Sequence, residues 1–439
     1  MKHGRWLATL AGLVALTLVA AACEEDTSAP PAASGGGEVD CATVEFGCVE
    51  VASGEPVNIG TALVISGADS TLGLDSQHGV ELAADYWGDS TFDATFGQVA
   101  GHDIEFTHED ELCSADGGQA AATALAADPS VVAVIGTSCS SAALGVADTI
   151  LSEEGILLFS PSNTNPALTS ETDHQPFYAR TAHNDRIQGA IGAQFAFNEL
   201  GVTTAATIAD ESPYTQGLVA AFEANFEDLG GTITGSEQVN SEDTNFESTL
   251  TSLNEGDPEL LYFPIFVAAC TQIVQQEAEL APDVQRMVAD GCLSSDTLKN
   301  AGNAVDGVYA SSPDISVFQD DPFYADEFIP AFNEQYGDTT SVFHAHAFDA
   351  TTILLGAIED VAIDNGDGSL SIPRQALRDA VFATNGYDGI IGTITCTELG
   401  DCATDVTIGI FQAPAWPVEG GEEPADAIYS DTLSLDDVL

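Results

Sequence analysis

The stretch from Val131 to Thr169 restricts the fold of this chain more than any other. A β-branched apolar run, Val131 to Ile135, halts at Gly136, and a hydroxyl loop follows, Thr137-Ser138-Cys139-Ser140-Ser141. Helical spacing then runs from about Ala142 to Ser152. A second apolar run, Ile156 to Phe159, ends in Ser160-Pro161-Ser162-Asn163-Thr164-Asn165-Pro166. Strand, loop, helix, strand, loop is a βαβ unit, and parallel strands need such a crossover. In these units ligands sit outside the carboxyl ends of the strands, where both hydroxyl loops fall. The first loop also opens a helix, whose free N–H groups favour an anion such as a carboxylate. Ser and Thr are equally at home as caps and turn residues. The two loops by themselves mark a cradle and carry no reaction chemistry.

The same alternation extends along the chain. Val57 to Val64 reads as a buried strand, with a helix from about Gly73 to Trp87, a strand at His102 to Thr107 and an Ala-rich helix at Asp116 to Ala127. After an extended crossing at Phe177 to Thr181, a second series begins near Arg186. Its strands are placed at Ala205 to Ala209, Thr232 to Gln238, Leu260 to Phe263 and Met287 to Ala289. Gly307 to Ser311 reads as a return crossing, with helices at Phe323 to Tyr336, His344 to Asp360 and Pro373 to Ala383 beyond it. Alternating strands and helices imply parallel sheets covered on both faces. The expected class is α/β, with two doubly wound, Rossmann-like lobes joined by three crossings. The expected boundaries are 1–22 leader, 23–56 flexible tether, 57–180 with 311–385 as lobe 1, 181–310 with 386–418 as lobe 2, and 419–439 as an acidic tail.

Charge narrows the function. There are 70 acidic and 8 basic residues, a formal net charge of -62. Lys2 and Arg5 lie in the leader, which leaves Lys299 and five arginines for the mature chain. Phosphate binding needs basic clusters, so nucleic acid is excluded as a partner. So large a net charge opposes compaction unless salt screens it, and 1 M salt shortens the Debye length to about 3 Å. The near-absence of lysine beside ordinary apolar content points to a saline habitat; a generally acidic exported proteome explains it as well. Residues 1–22 pair Lys2 and Arg5 with an apolar run from Trp6 to Ala22, the pattern of a signal peptide. The run resembles a bacterial lipoprotein signal, because Ala20-Ala21-Ala22 precede Cys23, although Ala20 stands where Leu or Val is usual. Cys23 is then the lipidation site. Eight further cysteines suit disulfides in an exported chain. Sequence neighbours suggest Cys41-Cys48, Cys113-Cys139, Cys270-Cys292 and Cys396-Cys402; spacing alone does not decide the connectivity. No CxxC spacing supports a metal site instead.

From Val57 to Phe411 the chain resembles the substrate-binding proteins of branched-chain amino-acid ABC transporters, the type I periplasmic binding proteins. The segments that carry this are VNIGTALVISG, GHDIEFTHEDELC, VVAVIGTSCSSA, EEGILLFSPSNTNPALT, FYARTAHND, ADESPYTQGL and DGVYASSP, in that order. The resemblance implies a ligand cleft between two lobes that close by a hinge motion. It places Ser140 and Ser141, then Ser162, Asn163 and Thr164, at the ligand carboxylate and ammonium. Tyr214 falls at the second-lobe tyrosine, Asp290 before Gly291 at the acid that pairs with the ammonium, and Phe266 at a cleft-lining aromatic. Leu72 stands where an aromatic often covers the ligand. Cys113 and Cys139 match a first-lobe disulfide. Leu72, Asn163, Pro264 and Phe266 depart from the family pattern and leave side-chain specificity open.

The implied protein is a monomeric, lipid-anchored receptor outside the cytoplasmic membrane. It binds an amino acid and docks on an ABC permease, with no cofactor, no metal and no catalysis. Urea, a short amide or another small polar solute is the alternative ligand, and sensing without transport the alternative role. An amidase using Ser140 lacks any motif that sets a base beside that serine. His344 and His346 stand two apart and do not share a helix face. The DNGDGS run from Asp364 lacks the spacing and closing Glu of a calcium loop.

Overall fold

In the computed structural model, residues 41–422 and 425–438 are described. The leader, Cys23 and most of the expected tether therefore lie outside the described residues.

The first lobe opens with β1 (Cys48–Val51), β2 (Val57–Leu63) and α1 (Ser70–Tyr86). It continues through β3 (Gln98–Val99), β4 (His102–Asp110), α2 (Ala115–Ala127) and β5 (Val131–Gly136). α3 (Ser140–Ala142) runs through a π turn into α4 (Asp148–Glu153), and β6 (Leu158–Ser160) and β7 (Tyr178–Arg180) follow. The second lobe begins with α5 (Asp185–Gln194), β8 (Thr204–Ala209), α6 (Pro213–Asp228) and β9 (Thr232–Gln238). It goes on with α7 (Glu247–Asn254), β10 (Leu260–Tyr262), α8 (Val267–Leu280), β11 (Gln285–Ala289), α9 (Ser295–Ala301) and β12 (Tyr309–Pro313). The chain returns to the first lobe with α10 (Ile329–Tyr336), α11 (His344–Val361), β13 (Ile363–Asp364), β14 (Leu370–Pro373), α12 (Arg374–Phe382) and the hairpin β15 (Asn385–Gly389) and β16 (Gly392–Thr395). Finally β17 (Asp405–Gln412) and β18 (Tyr429–Ser434) rejoin the second lobe.

The first sheet has the order β3-β4-β2-β5-β6-β7 and the second β18-β17-β12-β11-β10-β8-β9. The inner strands are parallel. Every residue of β2 and of β5 is buried, as expected of strands covered by helices on both faces. Gly73 shows how closely a helix lies on this sheet edge: a Cβ there would stand 2.0 Å from the Val64 carbonyl oxygen.

Several placements differ from the sequence reading. Gly307 to Ser311 is no crossing, because β12 is a full member of the second sheet and the chain leaves only after Pro313. The segment 386–402 packs on the first lobe: Ile394 and Cys402 share a core with Leu377 and Val381, and Asp349 of α11 accepts from the Ile390 and Ile391 amides. The expected acidic tail contains β18, antiparallel to β17, and the expected tether contains β1, antiparallel to β14. These strands are short and partly exposed, so they lack the apolar run that marks β2 and β5. The four cysteine pairs Cys41–Cys48, Cys113–Cys139, Cys270–Cys292 and Cys396–Cys402 are disulfide-bonded.

Candidate functional site

Each sheet has one point where the chain reverses the direction in which it adds strands. In the first it lies between β2 and β5, and in the second between β8 and β10. Ligands of doubly wound sheets bind at such switch points. The loops from both meet at one cavity of about 640 Å³, lined by Asp69 and Ser141 from the first lobe and by Asp210, Pro213 and Phe266 from the second. The lobes touch beside it. Thr71 Oγ1 lies 3.0 Å from Ser294 Oγ, and Asn165 Nδ2 donates to the Pro213 carbonyl at 2.6 Å.

The hydroxyl loops are built as the sequence suggested, although most of their hydroxyls are already engaged. Ser140 Oγ accepts from the Asn165 amide at 3.3 Å, Ser141 Oγ donates to the Cys113 carbonyl at 3.0 Å, and Ser162 Oγ donates to the Ser138 carbonyl at 3.0 Å. Thr164 is different. It is buried and its hydroxyl has no partner. The Asn163 side chain belongs to the sheet: its Oδ1 accepts from Thr137 Oγ1 at 3.0 Å and from Tyr178 OH at 3.3 Å. The structure thus gives Asn163 a bracing position rather than the cleft position expected of it.

In the second lobe Tyr214 opens α6 and packs on Phe266, ring centroids 5.0 Å apart. The Gly291 amide donates to Tyr214 OH at 3.2 Å. A Cβ at Gly291 would stand 3.0 Å from the Tyr214 ring and 3.1 Å from the Phe266 ring, so both rings pack closely on the residue after Asp290. Asp290 is buried, and its Oδ1 accepts from Gln188 Nε2 at 2.6 Å. Burial pushes Asp290 up to about 6, with Gln188 and the Tyr214 hydroxyl pulling the other way. Leu72 is buried in a core cluster with Ile265 and Phe263, which closes the site with apolar surface from both lobes.

Four residues near the site escaped the sequence reading. Asp69 lines the cavity with an unpartnered Oδ1, and burial raises it to about 6. Gln188 positions Asp290. Asp185, the first residue of α5, is fully buried with neither carboxyl oxygen hydrogen-bonded. Arg180 organises the loop after β6: its Nη1 donates to the Asn163 and Asn165 carbonyls at 3.1 and 3.0 Å and its Nη2 to Thr169 Oγ1 at 2.8 Å. Its Nε pairs with Asp401 at 2.6 Å. All but Asp69 lie in or next to the crossing segment, where no periodicity signals a side chain's role.

A periplasmic binding protein family model matches residues 56–408. The chain belongs to that family. Among curated members it is 27% identical over 288 residues to a leucine-, isoleucine-, valine-, threonine- and alanine-binding protein of Pseudomonas aeruginosa, covering 66% of this chain and 74% of that one. A Leu/Ile/Val-binding protein homologue of Brucella abortus is 27% identical over 346 residues, 79% of this chain and 87% of the other. A leucine-binding protein of Thermotoga maritima shares the fold with a TM-score of 0.74 at 23% identity, covering 87% of this chain and all (100%) of that chain. A branched-chain amino-acid transporter substrate-binding protein of Streptococcus pneumoniae, solved with isoleucine, gives 0.71 at 21%, covering 86% of this chain and 99% of the other. Periplasmic binding proteins are solute-binding rather than catalytic and act outside the cytoplasm. Among the described residues no helix is long and apolar enough to cross a membrane.

Proposed function

We propose that this protein is the solute receptor of an ABC importer and takes a branched-chain or other small aliphatic amino acid between its lobes. The observation that carries the reading is Asp290. It is a buried carboxyl held by Gln188 beside Tyr214, and the loop after β6 carries the buried, unpartnered Thr164 hydroxyl. An ammonium group satisfies such a carboxyl. The ligand carboxylate falls to the loops at Ser140, Ser141 and Ser162, whose backbone amides and helix terminus bind an anion without arginine. Leu72 and Phe266 enclose the side chain. Closure of the lobes then presents one shape to a membrane permease, with a lipid on Cys23 keeping the receptor at the outer face of the membrane.

A thermal-shift screen of amino acids, amides and small organic acids in high salt tests the ligand class. A ligand at 100 times its dissociation constant adds about 2.7 kcal/mol of stability. Leucine, isoleucine or valine is expected to raise the melting temperature. A shift with urea or a short amide, and none with any amino acid, would replace this reading by the amide receptor.

A further inference from the structure

Asp290 has a second buried carboxyl, Asp185, for a neighbour. Asp185 stands one helical turn before Gln188, so the two share a face of α5, and Gln188 holds Asp290. Thr164 Oγ1 from the loop after β6 faces Asp185 closely enough to favour its charged form, yet the two complete no hydrogen bond. Tyr262 at the end of β10 adds a buried hydroxyl near Ser311, again without a completed bond. From α6, Gly217 lets the helix approach closely: a Cβ there would stand 2.8 Å from Asn165 Nδ2 and 3.2 Å from Asp185 Oδ2. The charged and titratable groups that face Asp185 are Asp290, Tyr214, Tyr262 and Arg180. Arg180 is committed to Asp401 and to the loop after β6. His183, bonded to Gln188, is pushed down to about 4 by burial and stays neutral. Two buried carboxyls that share a site without a free cation do not both ionise. Burial, with the Asp290 charge adding to it, pushes Asp185 up to about 8.

We propose that Asp185 and Asp290 form a paired carboxyl subsite that holds a proton while the cleft is empty and releases it when the ligand's ammonium enters. This deepens the amino-acid reading and rests on it. The exchange balances: the ligand brings one positive charge, one carboxyl O–H bond breaks, and the proton passes to solvent. A neutral amide brings no charge and leaves the proton in place, so the pair also selects amines over amides. Affinity for an ammonium ligand therefore rises with pH, by up to about tenfold per unit where a full proton is exchanged.

The test is calorimetric titration of L-leucine at pH 7.5 in two buffers of different ionisation enthalpy, which counts the protons released. Wild type is expected to release protons and to bind more tightly at pH 8 than at pH 7. Asp185→Asn is expected to bind leucine with little release and a flat profile over that range. Leucine binding without proton release, or release unchanged in Asp185→Asn, overturns the proposal. Carboxyl 13C NMR of the empty protein reads Asp185 directly, with or without a ligand. A carbon that titrates at pH 7 or above supports the pair, and one already ionised at pH 5 overturns it. If leucine and every other amino acid fail to bind, the amino-acid reading falls and this second measurement still decides the pair.

Discussion

Asp75 shows how a chain with so few cations holds a buried carboxylate. Its oxygens accept from the backbone amides of Thr340, Ser341, Phe343 and His344 and lie 3.1 Å from His344 Nδ1. Burial alone would raise this group; the histidine and the amides outweigh it and keep the pKa below its ordinary value. Asp85 likewise accepts hydrogen bonds from the amides of Asp93, Ala94 and Thr95. Arg180 is the exception that uses a cation, and breaking a buried pair costs about 3–5 kcal/mol. Arg180→Leu is therefore expected to lower unfolding stability in urea by about 3 kcal/mol or more and to weaken ligand binding through the loop at Thr164. An unchanged midpoint would show that Asp401 and the loop carbonyls tolerate its loss. Asp290, Tyr214 and the hydroxyl loops could be named as candidates because motif order exposes them. Asp185, Gln188 and Arg180 were not, because a buried polar side chain inside a crossing leaves no periodic trace.

Among the elements, the strands that read clearly are those buried on both faces. β2 and β5 are buried along their whole length, while β1 and β18 are partly exposed edge strands, and β1 finds its partner β14 far along the chain. Long-range pairing of that kind is set by tertiary packing, and strand propensity is a weak guide to it. The Cys113–Cys139 bridge ties the loop after β4 to the hydroxyl loop after β5, across 26 residues of sequence. Closing a loop of that size contributes about 3–4 kcal/mol in the chain-entropy description. Replacing both cysteines by serine is expected to lower stability by that order. It should also weaken leucine binding, since Ser141 leans on the Cys113 carbonyl. Stability loss with unchanged affinity would show that the loop keeps its shape without the bridge.

For the whole molecule, protons and salt act in a direction unusual for a folded protein. Burial raises Asp185 to about 8, Asp349 and Glu277 to about 7, and Asp69, Asp148 and Asp290 to about 6. The folded state keeps these protons at pH values where the unfolded chain, with ordinary carboxyls near pH 4, has lost them. Stability then falls as pH rises from about 4 to about 8. Asp75, held low, adds stability that is lost only as the pH falls below the ordinary carboxyl range. In 2 M salt the melting temperature is expected to be higher at pH 5 than at pH 8, and the reverse order would contradict these assignments. At pH 7 the melting temperature is expected to climb from 0.1 to 2 M salt as the charge of -62 is screened. A flat series would remove the saline habitat from the account.

The central claim is that the cleft holds an amino acid by its ammonium on Asp290, and calorimetric titration of L-leucine into wild type and Asp290→Asn tests it most directly. Removing one partner of a buried charged contact costs about 2 kcal/mol or more, which is about 30-fold in affinity. Wild type is expected to bind leucine, and Asp290→Asn to bind it at least about 30-fold more weakly while remaining folded. Equal affinity in the two proteins would contradict the claim.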